Sequence, residues 1–180
     1  MQQLKMTDLK KYLANKTQEE LVKEIGDLCK RFPNVKEYYA ANLVPDAEQD
    51  ILEKYRKIIK NEFFPDRGMG KLRYSVINKA ISDFKKLSKT PLNVAELMVS
   101  GVEYGIEFTN AYGDIDEKFY VKMAAMFEAA ANYVNQEDLE NTYQKRFWEM
   151  VDESSDIGWG FNEALMEIYY SYFNDEDEDE

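Results

Sequence analysis

Apolar residues recur at intervals of three and four positions along almost the whole of this 180-residue sequence. That spacing places them on one face of an α-helix, and no stretch shows the sustained alternation that a half-buried strand requires. Proline and glycine, which interrupt helices, number only 4 and 8. The pattern therefore predicts an all-α protein of seven to nine helices, packed as helical hairpins or as an irregular bundle.

Capping residues indicate where several of these helices begin and end. Thr17 and Glu20 form a capping-box pattern in front of an apolar stripe, and Pro33 is expected to close that helix. Asn93 and Asp114 are expected to cap two later helices, because their short polar side chains can accept from free backbone N–H groups.

The helix after Asn93 is expected to be central, because almost everything outside one narrow polar face is apolar or small. Gly101 and Gly105 lower its helix propensity, so a closely packed neighbouring helix is expected over them. The polar face consists of Glu96, Glu103, Glu107 and Asn110.

Chain length and end composition predict the domain organisation. A length of 180 residues fits one domain, so residues 1–173 are expected to form a single compact domain. Residues 174–180 form an acidic tail, in which self-repulsion and the lack of apolar anchors predict disorder. No uncharged apolar stretch approaches the ~20 residues that span a bilayer, so no membrane association is expected.

The absence of histidine removes whole classes of chemistry. It excludes Ser-His and Cys-His catalytic pairs and imidazole metal ligands. The single cysteine, Cys29, excludes an internal disulfide and any multi-cysteine metal cluster. We therefore expect no cofactor and no metal site, and favour a non-enzymatic role. The lone cysteine and the charged N-terminal residues, which lack the apolar segment of a secretory signal, predict a cytoplasmic location.

Charge is segregated along the chain, whose formal net charge is −12. Residues 1–53 carry a net charge of −2, residues 54–89 carry +8, and residues 90–180 carry −18. Arg67, Lys71 and Arg73 lie in and beside the glycine-containing loop of the basic segment. Such a segment suits an acidic partner, can neutralise nucleic-acid phosphates, or can dock against the chain's own carboxylates.

Two further groups of side chains are candidates for a binding site. Glu103, Glu107, Asn110 and Asp114 place oxygen atoms within a short stretch of the chain, which suits either Mg²⁺ or paired acid–base chemistry. Their structural explanation, as a helix cap and the wet face of an apolar helix, is the more economical one. Trp159, between two glycines, suits a pocket wall or a protein-contact anchor, or else a plug in the core.

Several strings resemble a family of small, uncharacterised bacterial proteins known only as a domain of unknown function. The resemblance covers nearly the whole chain and implies an all-helical fold, with no substrate, cofactor or reaction. A His often follows the Gly-Trp-Gly-Phe string in that family, and Asn162 takes that place here. The strings are Phe63-Phe64-Pro65, Lys71-Leu72-Arg73, Ala80 to Leu87, Val102 to Asn110, Tyr112 to Ile115 and Asp156 to Phe161.

The leading hypothesis is a non-enzymatic helical interaction module that presents a basic loop or groove, residues 54–89, to an acidic partner. The partner would be another protein or a second copy of the chain. A nucleic-acid-associated protein that uses the same segment, and a metal-assisted hydrolase that uses the clustered carboxylates, are the alternatives.

Overall fold

A computed structural model describes residues 3–173, and within that range the chain forms nine α-helices and no strand. The all-helical prediction is confirmed, whereas the predicted disorder of the acidic tail concerns residues outside the described range. The helices are α1 (Met6–Ala14), α2 (Gln18–Arg31), α3 (Pro33–Leu43), α4 (Ala47–Phe63), α5 (Tyr74–Leu87), α6 (Pro91–Tyr112), α7 (Glu117–Gln136), α8 (Glu140–Glu153) and α9 (Phe161–Tyr172).

Within residues 3–173 the chain divides into two compact units, with the boundary between Ala47 and Glu48. The first unit contains α1, α2 and α3, with α2 packed against α3. The predicted capping box is present: Glu20 N donates to Thr17 Oγ1 over 3.2 Å, and Thr17 N donates to Glu20 Oε2 over 2.8 Å. α2 ends at Arg31, just before Pro33, which occupies the first turn of α3 as its preset φ favours. The prediction of one domain over residues 1–173 stays a prediction.

The second unit is built around α6, as the apolar character of that helix predicts. Most of the length of α6 is buried, and α5, α7 and α8 pack against it. α7 in turn contacts α8 and α9. Each of α4, α5, α7, α8 and α9 supplies one apolar face to the same core, in which Phe63, Phe84, Phe127, Phe147 and Phe161 are almost inaccessible to solvent.

The two glycines of α6 lie where α7 comes closest, which confirms the predicted close neighbour. A Cβ added at Gly101 would lie 3.3 Å from Cε of Met126, and one added at Gly105 would overlap the thioether of Met123. Met123 therefore occupies the space that an alanine side chain at Gly105 would fill, and Met126 closely borders that space at Gly101. Met123 is completely buried, so it has little room to move away.

Two predicted helix caps are wrong. α6 begins at Pro91, two residues before Asn93, because proline's fixed φ and missing N–H suit the first turn of a helix. Nδ2 of Asn93 instead donates to Glu48 Oε1 over 3.0 Å. The cap of α7 is Asp116, whose Oδ1 accepts from Phe119 N over 2.8 Å, and not Asp114.

We expect Gly105→Ala to destabilise the fold by about 1–3 kcal/mol, because overpacking against Met123 outweighs the better helix propensity of alanine. In a Met123→Ala background the added methyl group enters the space left by the methionine, and the loss should shrink or reverse. Urea unfolding of the four chains measures this coupling.

Gly26→Ala is the matched control, because a Cβ at this position of α2 meets nothing within 4 Å. It should stabilise the chain by up to about 1 kcal/mol. An equal cost of Gly105→Ala with and without Met123 would contradict the packing explanation.

Candidate functional site

Two arginines of the basic segment, the largely covered Arg56 and the half-exposed Arg73, bind carboxylates of the same chain. Arg56 donates from Nη1 to Glu53 over 2.6 Å and from Nη2 to Glu96 over 2.7 Å. Arg73 donates from Nη2 to Glu62 Oε1 over 2.6 Å and from Nε to Oε2 over 3.0 Å. The basic centre is thus partly neutralised by carboxylates of the same chain.

Glu62 organises the loop between α4 and α5. Its side chain is buried, and it accepts both a forked pair from the Arg73 guanidinium and the backbone N–H of Arg73. The hydrogen bonds from Arg73 hold the pKa of Glu62 below its usual value, against the opposing effect of burial. Gly70 passes so close that a Cβ there would overlap the carbonyl oxygens of Phe63 and Glu62. This loop is therefore a tightly closed structural turn.

Arg67 and Lys71 stay on the surface of that loop. Both side chains are exposed, and the charge of Lys71 contributes to the lowered pKa of Glu62. Of the three basic candidates, the structure therefore assigns Arg73 to holding the loop together and leaves Arg67 and Lys71 facing solvent.

Glu103, the first carboxylate candidate, lies in an ion-pair network between α6 and α8. Arg146 donates from Nη1 to Glu96 over 2.5 Å. It also donates to Glu103, from Nε over 2.9 Å and from Nη2 over 2.8 Å. Tyr143 donates to Glu96 over 3.2 Å. Burial opposes the charge on Glu96, but Arg146 and Arg56 outweigh it and lower the pKa of Glu96 overall. The network therefore neutralises two acids of the polar face of the central helix, Glu96 and Glu103.

Glu107 and Asn110, lower on the same face of α6, are exposed. Asn110 Nδ2 donates to the backbone oxygen of Glu153 over 3.0 Å, which ties the ends of α6 and α8 together. Burial raises the pKa of Glu153, and the charges of Glu107 and Glu103 raise it further. The negative charges of these neighbouring acids therefore repel one another.

Asp114 belongs to a polar corner next to the start of α7. Its Oδ1 accepts from Tyr120 Oη over 3.0 Å, and Tyr120 Oη also lies 2.7 Å from Thr109 Oγ1. A Cβ added at Gly158 would lie 3.3 Å from Asp114 Oδ2, so the chain before Trp159 passes close to this carboxylate. The arrangement positions a loop and leaves Asp114 apart from the Glu103 network.

Trp159 lies in the corner between α8 and α9 and remains 59% exposed. Its φ of 65° is in the left-handed region, between Gly158 and Gly160. Asn162 secures the corner by donating to Val151 O over 2.7 Å and to Ser154 Oγ over 2.9 Å. Asn162 therefore caps the end of α8. The prediction that Trp159 plugs the core does not describe this exposed ring.

A groove bordered by α5, α6 and α7 has an apolar floor and two lysines on its lip. Its volume is about 360 Å³, and it is called the basic-lipped groove below. Lys85 Nζ lies 4.1 Å from the centre of the Tyr133 ring, and Lys86 Nζ lies 3.6 Å from Asp83 Oδ1. The lining residues are Asn78, Ile81, Ser82, Lys85, Lys86, Met98, Met126 and Ala129.

A second groove, of about 340 Å³, lies along the other flank of α7, beside α9. Small and apolar side chains form its floor, Trp159 borders it, and two carboxylates lie on its α7 wall; it is called the acidic groove below. The lining residues are Glu117, Tyr120, Val121, Ala124, Ala125, Glu128, Trp159, Gly160, Phe161, Ala164 and Ile168.

The sequence reasoning missed the basic-lipped groove. Lys85 was visible as part of a polar helix face, and Met126 as a member of an apolar stripe, but neither pattern shows that the two residues border one groove. Their proximity depends on the packing of α5 and α7 on α6, which periodicity within each helix does not encode.

Among residues 3–173, no three Cys, Asp or Glu side chains are grouped as the ligands of a metal ion would be. No helix in the described part of the chain has the length and apolar character to cross a membrane.

The fold and its grooves define an all-helical protein of two units, with its largest described core around α6. The chain belongs to the family of unknown function DUF6155, whose family model matches residues 4–174. The resemblance to a family of unknown function is confirmed. Comparison with curated proteins and with solved structures finds no match.

We expect Glu62→Gln to destabilise the protein by about 1–3 kcal/mol at neutral pH, because it removes the charged partner of Arg73. The pKa of Glu62 is lower in the folded state, so its stabilisation is full above the unfolded pKa of about 4.3 and disappears as the pH falls through the folded pKa. The difference between the two chains should therefore shrink on acidification.

Urea unfolding from neutral to acidic pH measures that difference. Asp66→Asn, an exposed change in the same loop, is the control and should stay within about 0.5 kcal/mol throughout. A Glu62→Gln penalty that does not depend on pH would rule out the charged pairing as its cause.

We expect Arg146→Met to destabilise the protein by about 1–3 kcal/mol, because it leaves Glu96 and Glu103 half-buried without their shared partner. Arg146→Lys keeps the charge but loses the planar fork, so its cost should be smaller. Denaturant midpoints provide the measurement. Equal losses for the two variants would show that the fork geometry, and not the charge, carries the stabilisation.

Proposed function

We propose that this protein is a non-enzymatic helical binding module that accepts an acidic partner segment in the basic-lipped groove. The observation that carries the proposal is the combination of an apolar floor with two lysines on one lip. A ligand that fits must offer apolar side chains to the floor and carboxylates to the lip. An acidic amphipathic helix has both.

The floor of the groove suits a helix better than a rigid small molecule. Met98 and Met126 line it, and methionine side chains are unbranched and polarisable, so they adapt to the shape of an inserted apolar residue. Ala129 and Ser82 keep the walls low, which leaves space for a partner backbone.

The lip supplies charge complementarity. Lys85 lies over the Tyr133 ring, and Lys86 is one of two lysines near the single carboxylate of Asp83, so the lip keeps a positive surplus. Charges of this kind orient a partner and select its sign more than they add raw affinity. In a chain of net charge −12, a local basic lip favours acidic segments that the rest of the surface repels.

The exposed loop residues support one alternative. Arg67, Lys71 and Lys89 face solvent, where they are able to neutralise phosphates. This supports the alternative hypothesis that the basic segment binds nucleic acid. Arg56 and Arg73 are already paired with carboxylates of the same chain, which leaves less positive charge for phosphates. We therefore favour a protein partner over a nucleic acid. We place the protein in the bacterial cytoplasm on the family resemblance and on its lone Cys29.

A labelled synthetic amphipathic peptide of leucine and glutamate, about 18 residues or five turns long, tests the proposal. Its affinity is measured by fluorescence anisotropy. Lys85→Gln with Lys86→Gln should weaken binding about tenfold, because both lip charges are removed. Arg67→Gln with Lys71→Gln removes the same charge from the same segment but leaves the groove intact, and should change affinity by less than about twofold.

The comparison of the groove pair with the loop pair distinguishes the protein-partner hypothesis from the nucleic-acid hypothesis. A larger loss for the loop pair than for the groove pair would overturn the groove as the binding site. Binding of a DNA or RNA oligonucleotide that is tighter than that of the peptide, and is lost in the loop pair, would support the nucleic-acid alternative instead.

A further inference from the structure

The acidic groove is elongated, and its lining follows one face of α7. Its α7 residues recur at the spacing of one helix face, from Glu117 to Glu128. These two glutamates are eleven residues apart, which is about 16 Å along the helix axis at 1.5 Å per residue. The groove is therefore an elongated channel of three helical turns with a carboxylate at each end.

The floor between the two carboxylates is shallow and apolar. Ala124 and Ala125 on α7 face Ala164 and Ile168 on α9, and Val121 is 63% exposed beside them. Small side chains on two parallel walls allow another backbone to come close. The floor suits a helix or strand better than it suits a compact polar molecule.

Trp159 stands at the Glu117 end of this channel. The ring centroids of Tyr120 and Phe161 are 5.2 Å apart, which places the start of α9 beside the first turns of α7. The indole is held on the surface by a left-handed backbone at φ 65°, a conformation that carries a steric cost for a residue with a Cβ. Core packing does not account for an exposed tryptophan on a strained backbone, whereas contact of its indole with a ligand does.

The two carboxylates are available to a ligand. Glu117 and Glu128 are both exposed, and within residues 3–173 neither forms an ion pair. Glu117 and Trp159 both line the groove, and aromatic rings attract Lys and Arg through their quadrupole. The channel thus offers two negative charges, one π face and an apolar strip between them.

We propose that the acidic groove binds a basic amphipathic helix of another protein. The apolar side of that helix packs on the alanine floor, and basic side chains about three turns apart contact Glu117 and Glu128. The basic residue at the Glu117 end lies over Trp159. This partner is opposite in charge to the one proposed for the basic-lipped groove, so the two proposals stand or fall separately.

Fluorescence of Trp159 reports on the groove directly. The sequence contains two tryptophans, so Trp148→Phe leaves Trp159 as the single indole. The probe is a synthetic amphipathic peptide of leucine and lysine, about 18 residues long. A saturable shift of the Trp159 emission is expected with this peptide, and a scrambled peptide of the same composition should bind at least about tenfold more weakly because it cannot align both charges with an apolar face.

Charge-matched variants locate the contact. Glu117→Gln with Glu128→Gln should weaken the helical peptide about tenfold, because both end charges are lost. Glu163→Gln with Glu167→Gln removes two exposed charges from α9 outside the groove, and should change affinity by less than about twofold. All four glutamates are on the surface, so these chains are expected to keep their circular-dichroism spectrum.

Four outcomes would overturn the proposal. They are an unchanged Trp159 emission, equal weakening by the two pairs of substitutions, equal binding of the scrambled peptide, and an equal emission shift with tetramethylammonium alone. The last result would identify a small-cation site at Trp159 in place of a helix-binding groove. None of these results depends on Lys85 or Lys86, so the proposed function is tested independently.

Discussion

The close approach of α7 to α6 determines the geometry of the second unit. Gly101 and Gly105 leave room on α6, and the methionines of α7 fill it. α7 forms a wall of both the basic-lipped groove and the acidic groove, and α6 also borders the first of them. A methyl group that displaced α7 from α6 would therefore change the basic-lipped groove without touching it.

Electrostatics divides the basic segment by residue type. The planar guanidinium groups of Arg56 and Arg73 match carboxylate geometry and hold helices and a loop together. The ammonium groups of Lys85 and Lys86 are compact charges on flexible stems, and they remain at the lip of a groove. The same chemistry recurs on α8, where Arg146 gathers two acids of α6. Arg56, Arg73 and Arg146 thus join elements of the fold, whereas Lys85 and Lys86 remain exposed beside the groove.

Sequence alone predicts the helical fold, the central position of α6 and the need for a neighbour over its glycines. Those properties depend on periodicity within one helix and on side-chain size, which sequence records directly. It misplaces the caps at Asn93 and Asp114. Pro91 suits the first turn of a helix, so the cap of α6 is Thr90, three residues before Asn93. The cap of α7 is Asp116, two residues after Asp114. Sequence alone also misses the contact of Lys85 with Tyr133, because that contact depends on the relative register of two helices distant in the chain.

The two grooves give α7 flanks of opposite sign, with lysines across one flank and glutamates along the other. Such a separation is a permanent dipole directed across the helix, perpendicular to the backbone dipole along its axis. A partner whose own charges are unevenly distributed experiences a torque as well as an attraction when it diffuses toward this unit. It is therefore oriented before contact. Long-range orientation would then help a partner to reach one groove and not the other before any side chain makes contact. Dissolved salt would weaken this long-range effect before it weakened the short-range contacts.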